Sequence, residues 1–241
     1  MFYQDRAPVS PNMYILDFKS GDVNGDSIID NVYLVGQKTS PAEIYADNIA
    51  IIVQDGRANT FMRIPLADAG GYNAQLFLGN FTSKQQLDIL VSIDSGGSGG
   101  YIFAYLYTVR DNHAELLLGS DKFNNNSIYT AIFHDNFKVV VSSLQGNFKF
   151  IIDVSGNKAM YIDAGVYSNS GKLLKPTEGG VLALGALYPL INNYNSLYQL
   201  LAYQRIIGIN NSDNLGAVQT YLQWDGKEIT TARVELSIMP G

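Results

Sequence analysis

Short hydrophobic runs separated by polar turns dominate the chain. The runs are rich in Val, Ile, Tyr and Phe, have the length of β-strands, and end at Gly, Asn, Asp or Ser. The clearest are 32–35, 49–53, 87–93, 101–109, 137–142, 148–154 and 200–207. No segment has the periodicity of an amphipathic helix over a dozen residues, since the nearest candidate, 194–205, has the aromatic and β-branched residues of a strand. The pattern predicts an all-β protein.

The polar turns recur at a nearly constant interval. Four hairpin-type pairs, whose second residue adopts positive φ at little cost, place that residue every 55 to 59 positions. They are Asp55-Gly56, Asp111-Asn112, Ser170-Gly171 and Asp225-Gly226. The interval predicts one domain, 1–241, built from four repeats. Their approximate bounds are 12–66, 74–120, 128–176 and 184–236.

Each repeat is long enough for four antiparallel strands. In the second repeat these strands are expected at about 74–79, 87–94, 100–109 and 114–119. Four such units arranged radially make a small β-propeller of about four four-stranded blades. A large β-sandwich with evenly spaced turns is the alternative.

Residues 21–30, Gly-Asp-Val-Asn-Gly-Asp-Ser-Ile-Ile-Asp, carry the strongest chemical motif. Oxygen-bearing side chains stand at positions 1, 3, 5 and 9 of a nine-residue run, and a backbone carbonyl is available at position 7. Ca²⁺ prefers about six to eight oxygen ligands, and alternate spacing on a coiled loop turns such oxygens inward. The motif predicts a structural Ca²⁺ site. Its ligands would be Asp22, Asn24, Asp26, the carbonyl of Ile28, and Asp30.

Two weaker copies of this loop follow. Residues 79–88 have Asn80 in the place of Asp22, but Lys84 at position 5 would repel a metal ion. Residues 191–199 have Asn or Gln at positions 3, 5 and 9, with no carboxylate. We expect only the first loop to hold Ca²⁺, although these patterns leave open whether the two copies bind any ion. An EF-hand is excluded because its position 12 needs Glu and is Tyr33 here.

These residues resemble FG-GAP/VCBS-type repeats, the integrin-alpha-like β-propeller repeats. Residues 20–36 follow that pattern closely and 76–93 follow it in outline, although Ser27 replaces the usual glycine. The whole chain also resembles uncharacterised VCBS repeat-containing proteins of sporulating Gram-positive bacteria. The resemblance implies a propeller with Ca²⁺ between the first two strands of a blade, in a bacterial surface, secreted or spore protein. It implies no reaction.

The Gly-rich stretch 96–100 raises two further hypotheses. Gly96-Gly97-Ser98-Gly99-Gly100 matches the Gly-x-Ser-x-Gly elbow of serine hydrolases, but a strand rather than a helix is expected after it. In a propeller, loops of this type lie on the face opposite the calcium loops, where Tyr, Asn, Gly and Ser suit adaptable binding. We hypothesise there a surface for a glycan or a protein partner; the alternative is that these are solvated loops without a ligand. Its candidate residues are Tyr72, Asp94, Gly97 and Ser98.

Composition narrows the functional classes. The 241 residues are 46% hydrophobic and 16% charged, which is typical of a compact globular protein. A formal net charge of −6 without a basic cluster argues against nucleic-acid binding. The absence of cysteine excludes disulfides and thiol catalysis. No apolar run reaches the length of about 18 residues that a membrane span needs, and residues 1–8 lack the pattern of a signal peptide.

These observations favour a non-catalytic Ca²⁺-binding module for ligand binding or structural assembly. Loops of extracellular modules bind Ca²⁺ with Kd of about 10⁻⁴–10⁻³ M, which suits a setting outside the cytosol. A carbohydrate-active hydrolase, with paired carboxylates in a central channel, is the alternative. A third hypothesis is an assembly subunit that pairs through exposed strand edges.

Overall fold

The structure, a computed structural model, describes residues 12–67, 70–110, 113–145 and 148–238. The predicted turn at Asp111-Asn112 lies outside the described residues, as does the N-terminal stretch 1–8 on which the signal-peptide prediction rests. In the part of the chain that is described, none of the helices combines the length and the hydrophobicity of a membrane span.

The first two sheets each contain four consecutive antiparallel strands in sequence order. The first sheet consists of β1 (Met13–Gly21), β2 (Asp30–Gln37), β3 (Asp47–Gln54) and β4 (Phe61–Pro65). The second consists of β5 (Tyr72–Gly79), β6 (Asp88–Asp94), β7 (Ile102–Arg110) and β8 (His113–Gly119). The strands expected in the second repeat are confirmed to within two residues, because Gly and Asn mark their ends.

The third sheet differs from this plan. It consists of β9 (Tyr129–His134), β10 (Lys138–Ser143) and β11 (Lys149–Asp153), in the order β11-β10-β9. The expectation of four strands per repeat is wrong here: within the described residues this sheet has three. A 3₁₀ turn (Ser155–Asn157) and a short helix α2 (Lys158–Asp163) follow β11.

The fourth sheet again contains four strands in sequence order. They are β12 (Gly180–Ile191), β13 (Tyr198–Ile207), β14 (Asn214–Trp224) and β15 (Ile229–Ile238). Segment 194–205, the nearest candidate for a helix in the sequence, therefore forms a turn and most of β13. The remaining helix, α1 (Ser120–Asn126), follows β8. The all-β prediction is confirmed as four antiparallel sheets of three or four strands.

The chain divides into two compact units. The first comprises 1–120, 189–199 and 223–230, and the second comprises 121–188, 200–222 and 231–241. The core of the first unit consists largely of β-branched and leucine side chains from the central strands β2, β3 and β6, such as Leu34, Ile51 and Ile89. Such strands are buried on both faces and therefore read as continuous apolar runs. The prediction of a single domain stays a prediction.

The core of the second unit is built around two buried tyrosines. Tyr161 and Tyr167 pack with Phe133 at ring-centroid distances of 5.5 and 6.3 Å. The hydroxyl of Tyr161 donates to both carboxylate oxygens of buried Asp213, at 2.9 Å each. Asp213 also accepts a hydrogen bond from the backbone N–H of Ile209, at 2.9 Å. A buried carboxylate thus ties the loop before β14 to α2.

Candidate functional site

The loop between β1 and β2 is held by its own side-chain oxygens. Asp22 accepts hydrogen bonds from the N–H groups of Gly25 and Ser27, at 2.7 and 2.8 Å. Asn24 accepts from Asp26 N–H at 3.0 Å, and Asp26 accepts from Ile28 N–H at 2.8 Å. The bonds of Asn24 and Asp26 reach the N–H two residues further on and are Asx-type bonds, which let Asn and Asp replace regular backbone pairing in a turn. Those of Asp22 reach three and five residues further on and hold the loop as a whole.

Asp30, the last predicted ligand, closes the loop from inside the first unit. It is fully buried, and its two oxygens accept hydrogen bonds from the N–H groups of Val23 and Gly56, both at 2.9 Å. A side chain at Gly56 would collide with the carbonyl of Ile29, because a Cβ there would lie 2.0 Å from that oxygen. Asp30 therefore joins the loop 22–30 to the turn between β3 and β4.

Arg57 supplies a positive charge to the same loop. Its Nε donates to the carboxylate of Asp26 and its Nη2 to the carbonyl of Asp26, both at 2.7 Å. Asp55 fixes the turn by accepting from Arg57 and Ala58 N–H, and its other oxygen lies 3.5 Å from Asn24 Nδ2. The sequence marks 55–56 as a turn, but nothing in it places Arg57 on Asp26, 31 residues away.

The donor chemistry of this loop fits Ca²⁺. Asp22, Asp26 and Asp30 are hard oxygen donors of the kind Ca²⁺ prefers. Arg57 balances only one of these charges, and each carboxylate oxygen has a second lone pair beyond its N–H bond. In the described parts of the chain, however, no three acidic or histidine side chains converge as metal ligands would. The Ca²⁺ site therefore stays a prediction.

The loop at 79–88 repeats the buried carboxylate of the first loop. Asp88 is fully buried and accepts hydrogen bonds from Phe81 and Thr82 N–H at 3.0 and 2.7 Å, and from the Thr82 hydroxyl at 3.0 Å. Burial raises the pKa of Asp88, and its hydrogen bonds oppose that rise only in part. Asp30 bonds to Val23 as Asp88 bonds to Phe81, in each case the residue seven positions earlier. The two loops thus share a carboxylate clamp.

The third copy, 191–199, lacks this clamp. It forms the hairpin turn between β12 and β13, closed by a backbone bond from Asn192 N–H to the carbonyl of Leu197 at 2.8 Å. Asn192 and Asn195 accept from the N–H groups of Tyr194 and Leu197, at 3.0 Å each. It is a turn held by asparagines.

At the ends of β5 and β6, the predicted ligand residues Tyr72 and Asp94 lie side by side. They are paired in the sheet, and Asn73 Nδ2 lies 3.4 Å from a carboxylate oxygen of Asp94. The ring of Tyr72 lies over Gly96, where a Cβ would approach it to 2.3 Å. Asn73 adopts a positive φ of 48°, a conformation that costs most residues energy and that asparagine tolerates. Tyr72, Asp94 and the Gly-rich loop therefore form one ordered surface.

Two other glycines of this region also pack against tyrosine side chains. A Cβ at Gly99 would lie 2.3 Å from the ring of Tyr101, and one at Gly70 would lie 2.4 Å from the Tyr45 hydroxyl. Among the described residues, no atom lies within 4 Å of the place that a Cβ of Gly97 would take. Gly70, Gly96 and Gly99 thus leave the space that the neighbouring tyrosine side chains occupy, whereas Gly97 does not. Ser98 lies in the same loop, which runs from one antiparallel strand to the next, so the helix that a nucleophile elbow needs is not there.

Tyr45 extends this surface beyond the predicted residues. Its ring packs edge-to-face against Tyr72, with centroids 5.3 Å apart and planes at 70°. We call Tyr45, Tyr72, Asp94 and the loop 96–101 the tyrosine–glycine face. The sequence gives no sign of Tyr45, because it stands outside any strand run and 27 residues from Tyr72.

A polar pocket of about 450 Å³ adjoins this face. Its lining residues are Asn12, Gln37, Lys38, Thr39, Glu43, Tyr45 and Asp47. Glu43 accepts hydrogen bonds from Thr39, Ile44 and Tyr45, and so closes the loop between β2 and β3. Two lining or adjacent asparagines, Asn12 and Asn48, have positive φ of 72° and 48°. Asparagine is one of the few residues besides glycine that tolerate this left-handed conformation.

Comparison with known proteins points to one family. The model of a family described as the YybI C-terminal domain matches residues 127–237. The uncharacterised protein YybI of Bacillus subtilis strain 168 is 37% identical over 236 residues, which cover 98% of this chain and 89% of the relative. No solved structure matches the chain.

These matches correct the resemblance drawn from the sequence. The assignment to FG-GAP/VCBS-type repeats is wrong, because the matching family is that of the YybI C-terminal domain and the full-length relative is YybI. The physical reason is that an Asp-x-Asn-x-Asp spacing serves any turn held by Asx bonds, so it does not identify one family. The placement in a spore rested on that resemblance alone and loses its support with it.

Proposed function

The chain belongs to the YybI family, and from the geometry of its first unit we propose that it is a non-catalytic binding module. The tyrosine–glycine face takes a glycan or protein partner, and the loop 22–30 holds a structural Ca²⁺. The Ca²⁺ affinity typical of such loops supports a setting outside the cytosol, and we propose a bacterial cell surface.

The close packing of tyrosine rings against the glycine backbone is the main observation in support of the proposal. Rings at Tyr72 and Tyr101 would collide with any side chain at Gly96 and Gly99. Tyr45 and Tyr101 are nevertheless 39% and 38% exposed. Tyrosines held in fixed orientation and left partly open give large contact area at low entropic cost. Packing alone would not need them exposed.

Cosedimentation with isolated Bacillus subtilis cell walls tests this binding. We expect the wild-type protein to sediment with the walls, and Tyr72→Ala and Asp94→Asn to stay largely in solution, because each removes part of the tyrosine–glycine face. Tyr188→Ala is the matched control: Tyr188 is also exposed and also packs edge-to-face on a tyrosine, Tyr203, in the second unit. Equal sedimentation of all four proteins would refute the proposed surface.

Calcium is expected to raise the melting temperature. A site with Kd of about 10⁻⁴ M, in 10 mM Ca²⁺, would add about 2.7 kcal/mol of stability. For a chain of this size that corresponds to a rise of about 5–10 °C over the chelated protein. Circular dichroism melts in CaCl₂, in MgCl₂ and in EGTA measure the shift.

Arg57→Met distinguishes stabilisation by Ca²⁺ from stabilisation by the guanidinium. The variant should lose stability in EGTA, because Asp26 loses its cationic partner. If Ca²⁺ binds the loop, the variant should recover part of that stability in CaCl₂. Identical melts of the wild-type protein in CaCl₂ and EGTA would count against the Ca²⁺ proposal while leaving the binding face untouched.

We also propose that the four sheets are blades of a small propeller. Support comes from the order of the strands: the sheets are consecutive antiparallel meanders, the unit that propellers repeat. The three-stranded third sheet would be a blade in which α2 follows the third strand. A crystal structure showing two sheets packed face to face would establish the sandwich instead.

One observation bears on the hydrolase alternative: Glu43 and Asp47 line the same pocket. Glycoside hydrolysis needs two carboxyl groups free to act on the substrate. Both oxygens of Glu43 already accept hydrogen bonds from its own loop. The pair thus supports binding better than hydrolysis.

A further inference from the structure

We infer that the polar pocket and the tyrosine–glycine face together bind a neutral saccharide. The inference deepens the proposed function, since it rests on the same surface and names the chemistry of its ligand. Four properties of the surface lead to it: the presentation of the rings, the hydrogen-bonding groups of the pocket, its size and its charge.

The rings form a rigid aromatic surface. The ring planes of Tyr45 and Tyr72 lie at 70° to each other. Because Gly70 and Gly96 have no side chains, the Tyr45 hydroxyl and the Tyr72 ring can pack directly against the backbone there. A pyranose ring has apolar C–H faces and a polar hydroxyl rim, so it gains from lying against an aromatic ring while its rim reaches polar groups. Tyrosine suits this role because it combines a large apolar surface with a hydroxyl.

The pocket supplies the polar groups that such a rim needs. Amide, hydroxyl, ammonium and carboxylate groups line it, so it offers both donors and acceptors. Asp47 uses Oδ1 to accept the N–H of Asn48, and in the described part of the chain Oδ2 has no hydrogen-bond partner. A carboxylate oxygen of this kind accepts strongly from a sugar hydroxyl. The volume of about 450 Å³ falls in the range of ligand pockets, about 300–1,000 Å³.

Charge argues for a neutral ligand. Glu43 and Asp47 line the pocket and Asp94 lies on the adjoining face, so phosphate and carboxylate ligands are repelled. The ammonium of Lys38, in the same pocket, lies over the Tyr14 ring at 5.6 Å and donates to the carbonyl of Pro41 at 3.2 Å. It offsets part of the negative charge of these carboxylates and so weakens their attraction for a cationic ligand. A ligand rich in hydroxyls and without charge satisfies both conditions.

Saturation-transfer difference NMR on the full chain tests the inference. The probes are cellohexaose, chitohexaose and xylohexaose, with hexalysine and tripolyphosphate as charged comparisons. We expect at least one neutral oligosaccharide to show transfer to its ring C–H protons. Tyr72→Ala should weaken its binding by about tenfold or more, which is about 1.4 kcal/mol. Tyr72→Phe should retain most of it, Asp47→Asn should weaken it less than Tyr72→Ala, and Tyr188→Ala should leave it unchanged.

Two kinds of result would overturn the saccharide inference. One is that no neutral oligosaccharide binds; the other is that binding is the same in Tyr72→Ala and in the wild-type protein. Binding of hexalysine that depends on Tyr72 would make the ligand cationic and leave the proposed function standing. Loss of cosedimentation in Tyr72→Ala without saccharide binding would point to a protein partner. Melting curves show whether Tyr72→Ala is folded. If it is not, Asp47→Asn takes its place, because Asp47 lines the pocket, and binding equal to that of the wild-type protein would then overturn the inference.

Discussion

Replacing Asp213 by alanine is expected to lower the free energy of unfolding by about 3 kcal/mol. The change removes the acceptor of the fully buried Tyr161 hydroxyl and of the Ile209 N–H. A buried donor left without a partner costs about 1–3 kcal/mol, and hydrogen bonds to a charged group are at the strong end of the range. The melting temperature should fall by about 6–12 °C, as measured by circular dichroism and by urea titration.

Two further variants separate the hydrogen bonds from the packing around them. Tyr161→Phe keeps the ring against Phe133 and removes only the hydroxyl, so it leaves the Asp213 carboxylate with the Ile209 N–H. The double variant should lose less than the sum of the two single losses, because both remove the same bonds. Gly208→Ala should reproduce part of the loss, since its Cβ would lie 1.9 Å from a carboxylate oxygen of Asp213. A loss below about 1 kcal/mol in Asp213→Ala would mean that water replaces the carboxylate.

The strands were predictable from the sequence because their ends are marked by residues with a physical reason to be there. Gly79 and Asn80 end β5, and the Gly-rich loop ends β6, so the second sheet follows the prediction closely. The two helices were missed because six or seven residues are too few to show a helical period. The helix after β11 stands where a fourth strand was expected, and its sequence, Lys-Ala-Met-Tyr-Ile-Asp, suits either state.

The candidate sites were predictable where their residues lie in one loop or at the facing ends of two consecutive strands, as Tyr72 and Asp94 do. The loop 22–30 was found because its oxygen-bearing side chains alternate along the sequence. That pattern is explained by hydrogen bonds within the loop as well as by a metal site. Arg57 and Tyr45 were missed because their partners, Asp26 and Tyr72, lie 31 and 27 residues away. Periodicity and spacing describe one strand or one turn at a time, so a contact between two turns leaves no trace in them.

Asp30→Ala and Asp88→Ala should each cost about 3 kcal/mol in EGTA, although only the first belongs to the predicted Ca²⁺ loop. Each buried carboxylate holds two backbone N–H groups that would be left without an acceptor. Asp22→Ala breaks two exposed bonds and should cost about 1 kcal/mol in EGTA. In CaCl₂ its cost should rise by up to about 2.7 kcal/mol, because the stabilisation by the metal is lost as well. Urea titrations of the three variants in both buffers measure these differences.

The pH dependence of Asp88→Ala tests the same clamp in another way. Burial raises the pKa of Asp88 above its ordinary value of 3.8. The folded state therefore binds the proton of the Asp88 carboxyl more tightly than the unfolded state does. The stability linked to the carboxyl is therefore fully present below the unfolded pKa and is lost as the pH rises through the folded pKa. The difference between wild type and Asp88→Ala should accordingly be larger near pH 4 than at pH 7. If Asp30→Ala is silent in EGTA while Asp88→Ala is not, then the first carboxylate serves the metal alone and the two loops do not share a clamp.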